Sequence, residues 1–189
     1  MKEKSQLIAE IGGRAWYGED RRTSLQSIQA LQTTIRFVAA KIRDFEPGDF
    51  DLLWHLDQTC FAPGIAYSKP ELRGFIRGEG SFTLVAVNEE RIEGFVVVHS
   101  GKVGHIITID VSSEARRLGV GSMLLTAAER RLVSMGSQTV NLETAVDNLG
   151  ALAFYKRHGY NVVGTWPRYY SNGVDALVLK KRLNELQTH

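Results

Sequence analysis

The chain of 189 residues has a single cysteine, Cys60. No intrachain disulfide can form, so core packing must hold the fold, and a reducing cytoplasm is the expected location. Cys60 has no His-Asp pattern near it in the sequence, so it is not read as a nucleophile. No long apolar run opens the chain. Neither a signal peptide nor a membrane span is therefore expected, and no membrane partner. An excess of one charge is missing too. Lys and Arg number 23 against 21 Asp and Glu, a net of +2, which gives no case for a nucleic-acid partner. Arg130-Arg131 and Lys180-Lys181-Arg182 read as solvated faces. No His, Cys, Asp or Glu set has metal-ligand spacing, so no metal is expected. Internal repeats and low-complexity tracts are absent.

What remains is the pattern of one α/β domain. Residues 1–35 differ from the rest. They are polar, and Leu25, Ile28, Leu31 and Ile35 recur at helical spacing, so an extension with one helix, in part disordered, is expected there. The domain spans 36–189. Val38 to Phe45 reads as a strand. Phe50 to Phe61 reads as a helix with Leu52, Leu53, Leu56 and Phe61 inward. Ser68-Lys69-Pro70-Glu71 is a capping box that opens a helix to Arg77. Phe82 to Val87 and Ile92 to His99 form a hairpin, and His105 to Val111 is the next strand. Val120, Met123, Leu124, Ala127, Ala128, Leu132 and Met135 share one helical face, with Gly136 as the stop. Thr139 to Thr144 follows as a strand. Asp147 is placed to cap a helix from Asn148 to His158, and Tyr160 to Trp166 and Val174 to Lys181 are the last strands. Trp54 and Trp166 read as packing residues, His55 and His158 as surface residues on helices. The order β-α-α-β-β-β-α-β-α-β-β is a mixed sheet with helices on both sides.

Chemistry concentrates where the third helix begins. A strand ending at Val111 is followed by Arg116-Arg117-Leu118-Gly119-Val120-Gly121-Ser122. A helix start has unpaired N–H groups and the positive end of the helix dipole. Glycines let a ligand approach that backbone, so the loop suits phosphate, with Arg116 and Arg117 adding charge at its rim. A nucleotide-hydrolysing loop needs Gly-Lys-Ser/Thr, and here Gly121 precedes Ser122-Met123. A dinucleotide fingerprint needs a third glycine where Leu124 stands. Neither fits.

The Arg116 to Gly121 run instead resembles the pyrophosphate loop of the GNAT acetyltransferases. Asn148-x-x-Ala151-x-x-x-Tyr155-x-x-x-Gly159-Tyr160 resembles that family's second signature. The resemblance implies the GNAT fold: a mixed, mostly antiparallel seven-stranded sheet with helices on both faces. It implies acetyl-CoA as co-substrate, held by the backbone at Ile109 and Val111, by Arg116, Arg117, Leu118, Gly119, Val120, Gly121 and Ser122, and by Asn148 and Tyr155. One branch is most similar, the protein N-terminal acetyltransferases, including those that act on ribosomal-protein alanine. Gly104-His105-Ile106, Leu142-Glu143 and Tyr169-Tyr170-Ser171-Asn172-Gly173-Val174-Asp175-Ala176 carry that likeness. Two loops would then pinch a peptide N-terminus, one bearing Ile65 and Tyr67, the other Tyr169 and Tyr170. The chain departs from the bacterial enzymes in having Thr144-Ala145 after Glu143, where they have Val-Arg.

By that resemblance Glu143 is the candidate base and Tyr155 the candidate acid toward the CoA thiolate. An α-amine has a pKa near 8 and lysine about 10.4, so at pH 7.4 roughly a fifth of the first is neutral and about a thousandth of the second. An N-terminal acceptor thus needs only modest help from a base. A lysine or small-molecule amine stays open as acceptor, and so does a non-catalytic acyl-CoA-sensing module. A monomer and a homodimer are equally compatible with the sequence.

Overall fold

The computed structural model describes residues 40–183. The N-terminal extension expected over 1–35 lies outside the described residues. Seven strands form one sheet: β1 (Lys41–Asp44), β2 (Ser81–Asn88), β3 (Arg91–His99), β4 (Val103–Val111), β5 (Thr139–Ala145), β6 (Asn161–Trp166) and β7 (Ala176–Arg182). The helices are α1 (Phe50–Cys60), α2 (Lys69–Arg77), α3 (Val120–Ser134) and α4 (Leu149–Arg157). The strand order is β1-β2-β3-β4-β5-β7-β6. Every pairing is antiparallel except β4 with β5.

Two apolar layers cover the sheet. On one face Leu84, Val96, Val98 and Ile106 pack with Val120, Leu124, Leu125, Ala128 and Leu132 of α3 and with Tyr155 of α4. On the other, Val85, Phe95 and Val97 pack with Phe50 and Leu53 of α1 and Leu72 of α2. The alternation along β2 and β3 explains why both strands are apolar throughout: each face is buried. A fully buried Leu such as Leu124 or Leu132 contributes about 2–3 kcal/mol by leaving water.

Local chemistry sets the helix bounds. Ser68 accepts from the Glu71 N–H and Glu71 reaches back to the Ser68 N–H, so the capping box forms and α2 has the bounds read from it. The cap of α4 differs from expectation. Asn148, not Asp147, supplies it, with Oδ1 accepting from the Ala151 N–H at 3.0 Å. The inward face of α1 also differs. Leu52 is 59% exposed, while Leu53 and the carboxylate residue Asp57 are buried. Apolar periodicity could not find that phase because a polar residue occupies the stripe. Met135 falls beyond the last residue of α3 and is exposed, and Trp166, on the edge strand β6, is 47% exposed rather than packed.

Candidate active site

The parallel pair is incomplete. β4 meets β5 only at Val103↔Thr139, Gly104↔Val140 and His105↔Asn141. Beyond these, β4 runs on along β3 to Val111 and β5 along β7 to Ala145. The two strands part, and each has an unpaired edge facing the opening. Just past β4, the Ser112 N–H donates to the Glu93 carbonyl on β3 at 2.9 Å. Lateral direction alternates along a strand, so the N–H groups of Ile109 and Val111 face the opening. The Ile107 carbonyl takes the Tyr67 hydroxyl at 3.3 Å and the Val111 carbonyl takes Arg116 Nε at 3.1 Å, as oxygens free of a strand partner can. A bulge sits within β4, where Val97 pairs with Thr108 but Val98 with Ile106, leaving Ile107 extra.

The glycine loop lies at the wide end of this opening. Its first backbone bond into α3 is Met123 N–H to Gly119, so among the described residues the N–H groups of Val120, Gly121 and Ser122 have no acceptor. Gly119 is left-handed, with φ 91°, and Arg117 is left-handed as well, with φ 63°. The turn thus gathers donors at a helix start, a fit for a diphosphate. A Cβ at Gly121 would lie 3.5 Å from the Phe154 ring of α4, so the turn runs close to that ring. Arg117 is exposed at the rim. Arg116 is not free there: it turns back to Val111 and to Cys60 Sγ at 3.6 Å. Asn148 spends its side-chain oxygen on the helix cap.

Glu143 and Leu142 take opposite faces of β5, as strand alternation requires. Leu142 joins the α3 core, and Glu143 sits beside His105, Oε2 to Nε2 at 2.6 Å. The Glu143 side chain is 9% exposed and that of His105 37%, so the pair connects a sheltered carboxylate to solvent. Sequence reasoning did not pair His105 with Glu143; the likeness at Gly104-His105-Ile106 was the only signal for His105. Tyr155 enters from the α3 side, buried. Burial, with the nearby Asp110 carboxyl and Tyr170, pushes its hydroxyl well above the usual phenol range.

The two flanking loops meet. Ser171 Oγ donates to the Gly64 carbonyl at 2.8 Å. Gly64 is left-handed at φ 86°, and a Cβ there would lie 2.9 Å from Ser171 Oγ. In the second loop, Asp175 Oδ1 accepts the Arg168 N–H at 2.7 Å and Gly173 turns with φ 82°, which together present Tyr169 and Tyr170. Their rings lie 5.1 Å apart, edge to face. Burial and the fields of Tyr169 and Glu143 push Tyr170 up to about 12. Burial also raises Tyr67, with Tyr169 and Tyr170 next in effect, so these aromatics share one site with Glu143. Ile65 belongs to the same first loop, its N–H donating to the Ala62 carbonyl at 3.0 Å. Cys60 ends α1 against Val111, and burial and then Asp110 hold its thiol in the protonated form. Among the described residues no helix is long and apolar enough to cross a membrane.

A model of the acetyltransferase (GNAT) family matches residues 36–160. N-alpha-acetyltransferase 30 of Schizosaccharomyces pombe is 35% identical over 116 residues, 58% of this chain and 77% of that protein. An uncharacterized N-acetyltransferase of Methanocaldococcus jannaschii is 32% identical over 147 residues, 76% of this chain and 92% of the other. Among solved structures, Ard1 from Thermoplasma volcanium has a TM-score of 0.72 and 28% identity, covering 78% of this chain and 100% of that one. The matched segment runs from before β1 to beyond α4 and includes the parted strands, the amide-lined loop and Tyr155; the chain belongs to the GNAT acetyltransferase family, and its acetyl donor is acetyl-CoA.

Proposed function

We propose that this enzyme acetylates the N-terminal α-amine of a protein by direct attack of the amine. The observation that carries the acceptor is the contact of Ser171 with Gly64, which closes the two loops over the side of the opening bearing Tyr67, Tyr169 and Tyr170. A chain end fits such a bridged passage better than the middle of a chain. The names of relatives as N-alpha-acetyltransferases support the same acceptor. A cytoplasmic setting belongs to this reading, as the lone cysteine suits.

The thioester supplies an activated acetyl carbonyl. The N–H groups of Ile109 and Val111 lie where they can bond the pantetheine arm and polarise that carbonyl. Gly119 sets the turn that aims Val120, Gly121 and Ser122 at the diphosphate, and Leu118 and Arg117 border it. Arg116, tied to Val111, steadies the strand end rather than the phosphate. Asn148 acts by fixing the start of α4, which carries Tyr155. Glu143 takes the amine proton, and His105 passes it toward solvent through the 2.6 Å contact. Tyr155 donates a hydrogen bond to the departing sulfur. Its raised pKa keeps the proton largely on the phenol, so its effect is electrostatic stabilisation of the thiolate. Ile65, Tyr67, Tyr169 and Tyr170 contact the first residues of the acceptor.

Thiol release from acetyl-CoA, measured with peptides, tests the proposal. Release is expected with free N-termini and not with N-blocked peptides that contain lysine. The reverse pattern means a lysine acceptor, and tight acetyl-CoA binding without release to any amine means a sensing module. Glu143→Gln should lower kcat with little change in acetyl-CoA affinity. Tyr155→Phe should lower turnover with little change in acetyl-CoA affinity.

A further inference from the structure

Two carboxyl groups lie between α1 and β4 with no role assigned above. Asp57 is fully buried and Asp110 is 1% exposed. Asp57 belongs to the inward stripe of α1, and Asp110 pairs with Phe95, whose side chain lies in the α1 layer. Their hydrogen bonds are complementary. Asp57 Oδ2 accepts from the Tyr67 N–H at 2.9 Å and from Gln58 Nε2 at 2.9 Å. Asp110 Oδ1 accepts from the Thr108 hydroxyl at 2.8 Å. The other two oxygens, Asp57 Oδ1 and Asp110 Oδ2, are buried without a partner among the described residues.

Two such groups cannot both be anions in one low-dielectric layer. One of the two must hold a proton, and the one with fewer N–H donors is the better site for it. We propose that Asp110 is a neutral acid and Asp57 a carboxylate, and that Asp57 is a positioning residue for Tyr67. The assignment follows from the donors. Asp57 has two N–H donors, which favour its charged form, and Asp110 has one hydroxyl. Burial and then the charge of Asp57 drive Asp110 well up; burial raises Asp57 too, to about 6, against the hydrogen bonds from Tyr67 and Gln58, which lower it. The other titratable groups near the pair are Arg116, which opposes the rise of Asp110, and Cys60, Tyr67 and Tyr155, which are neutral.

Tyr67 is fixed at two points. Its N–H is held by Asp57, and its hydroxyl by the Ile107 carbonyl in the β4 bulge. Asp57 thus ties the first acceptor loop to α1, and the Tyr67 hydroxyl ties it to the strand that borders the opening. The role in acceptor binding rests on the proposed function; the protonation of Asp110 does not.

The test has two independent arms. Infrared spectra of the whole protein near neutral pH should show a carboxylic-acid C=O stretch that Asp110→Asn removes. A wild-type spectrum without that band, or a band unchanged in Asp110→Asn, overturns the neutral Asp110. In kinetics, Asp57→Ala should raise KM for the peptide acceptor about tenfold, the cost of one hydrogen bond to a charged group. KM for acetyl-CoA and kcat should stay within about twofold. Asp57→Asn retains an oxygen for the Tyr67 N–H and should restore most of the loss. An unchanged acceptor KM in Asp57→Ala, or equal losses in every constant, overturns the positioning role. If the wild type acetylates no peptide, the proposed acceptor fails separately. Hydrogen exchange at the Tyr67 amide then decides: it should be about tenfold faster in Asp57→Ala, and an unchanged rate overturns the tether.

Discussion

Gly119 and Gly121 stand two positions apart in the amide-lined loop, and they should respond to alanine with opposite signs. Gly119 has φ 91° and ψ −6°, and nothing lies within 4 Å of a Cβ built there. Its constraint is conformational, and a left-handed backbone costs a residue with a Cβ about 1–2 kcal/mol. Gly121 is in the first turn of α3, where a Cβ would meet the Phe154 ring at 3.5 Å and Val111 Cγ2 at 3.6 Å, ordinary contacts. Its backbone freedom costs the helix up to about 1 kcal/mol relative to alanine. At about 2–4 °C per kcal/mol for a chain of this size, Gly119→Ala should lower Tm by about 2–8 °C and Gly121→Ala raise it by up to about 4 °C. Thermal unfolding followed by circular dichroism measures both. Repeating it with acetyl-CoA at about 100 times Kd adds about 2.7 kcal/mol to a competent site. That increment should shrink in Gly119→Ala, whose turn aims the amides, and persist in Gly121→Ala. Equal destabilisation of the two ligand-free variants would refute the reasoning, and so would loss of the increment in Gly121→Ala alone.

Gly94→Ala places a Cβ 2.6 Å from the Asp110 carbonyl and 3.1 Å from Leu124 Cδ1; backbone must move, and urea unfolding should show a loss of about 1–3 kcal/mol. Asp57 predicts a pH dependence of stability. Burial raises its pKa from 3.8 to about 6, so between those values the folded chain holds a proton that the unfolded chain has released. Stability from this group is therefore highest below about pH 4 and falls as pH rises to 6, by about 3 kcal/mol in all. The difference between wild type and Asp57→Asn in urea unfolding, followed from pH 4 to 7, isolates it from carboxylates such as Asp49, whose pKa is lowered by Arg43 and which act in the opposite direction. His105→Ala should lower kcat about ten- to a hundredfold with KM for acetyl-CoA unchanged, since it removes the partner of Glu143 and touches no part of the amide loop.

The half of the site that was legible in the sequence is the half made of neighbours. Residues 116–122 form a turn and a helix start by themselves, and glycine spacing announces both. The other half joins residues far apart in the chain: His105 with Glu143, Gly64 with Ser171, Asp57 with Asp110. Only the sheet order creates those pairs. Glu143, Tyr67 and Tyr170 could be named because a family likeness stood in for the topology. Asp57 had no such support, and a carboxylate in a stripe of Leu and Phe reads as a solvent position. Asn148, which the family likeness names for cofactor binding, also caps a helix with its side-chain oxygen, a second role that the motif does not show. Periodicity located the elements well, with α2 bounded as its capping box requires, because caps and apolar spacing act within a few residues.

One extra residue decides which chemistry each face of the opening receives. Before the bulge, Ile106 packs toward α3. In a regular strand, residues 108 and 110 would follow it to that face, and Asp110 would lie in the apolar layer under α3. With Ile107 inserted, the phase shifts. Ile109 and Val111 take the α3 side, while Thr108 and Asp110 turn to α1, as their partners Val97 and Phe95 do. The shift also carries the lateral N–H groups, since Ser112 points to β3 and Ile109 and Val111 point into the opening. β5 has no matching bulge against β7, so Leu142 stays with α3 and Glu143 on the opposite face. The α3 side of the opening is therefore walled by apolar side chains, and the opposite side carries the carboxyl groups of Asp110 and Glu143. That separation follows from the position of Ile107, not from the identity of any catalytic side chain.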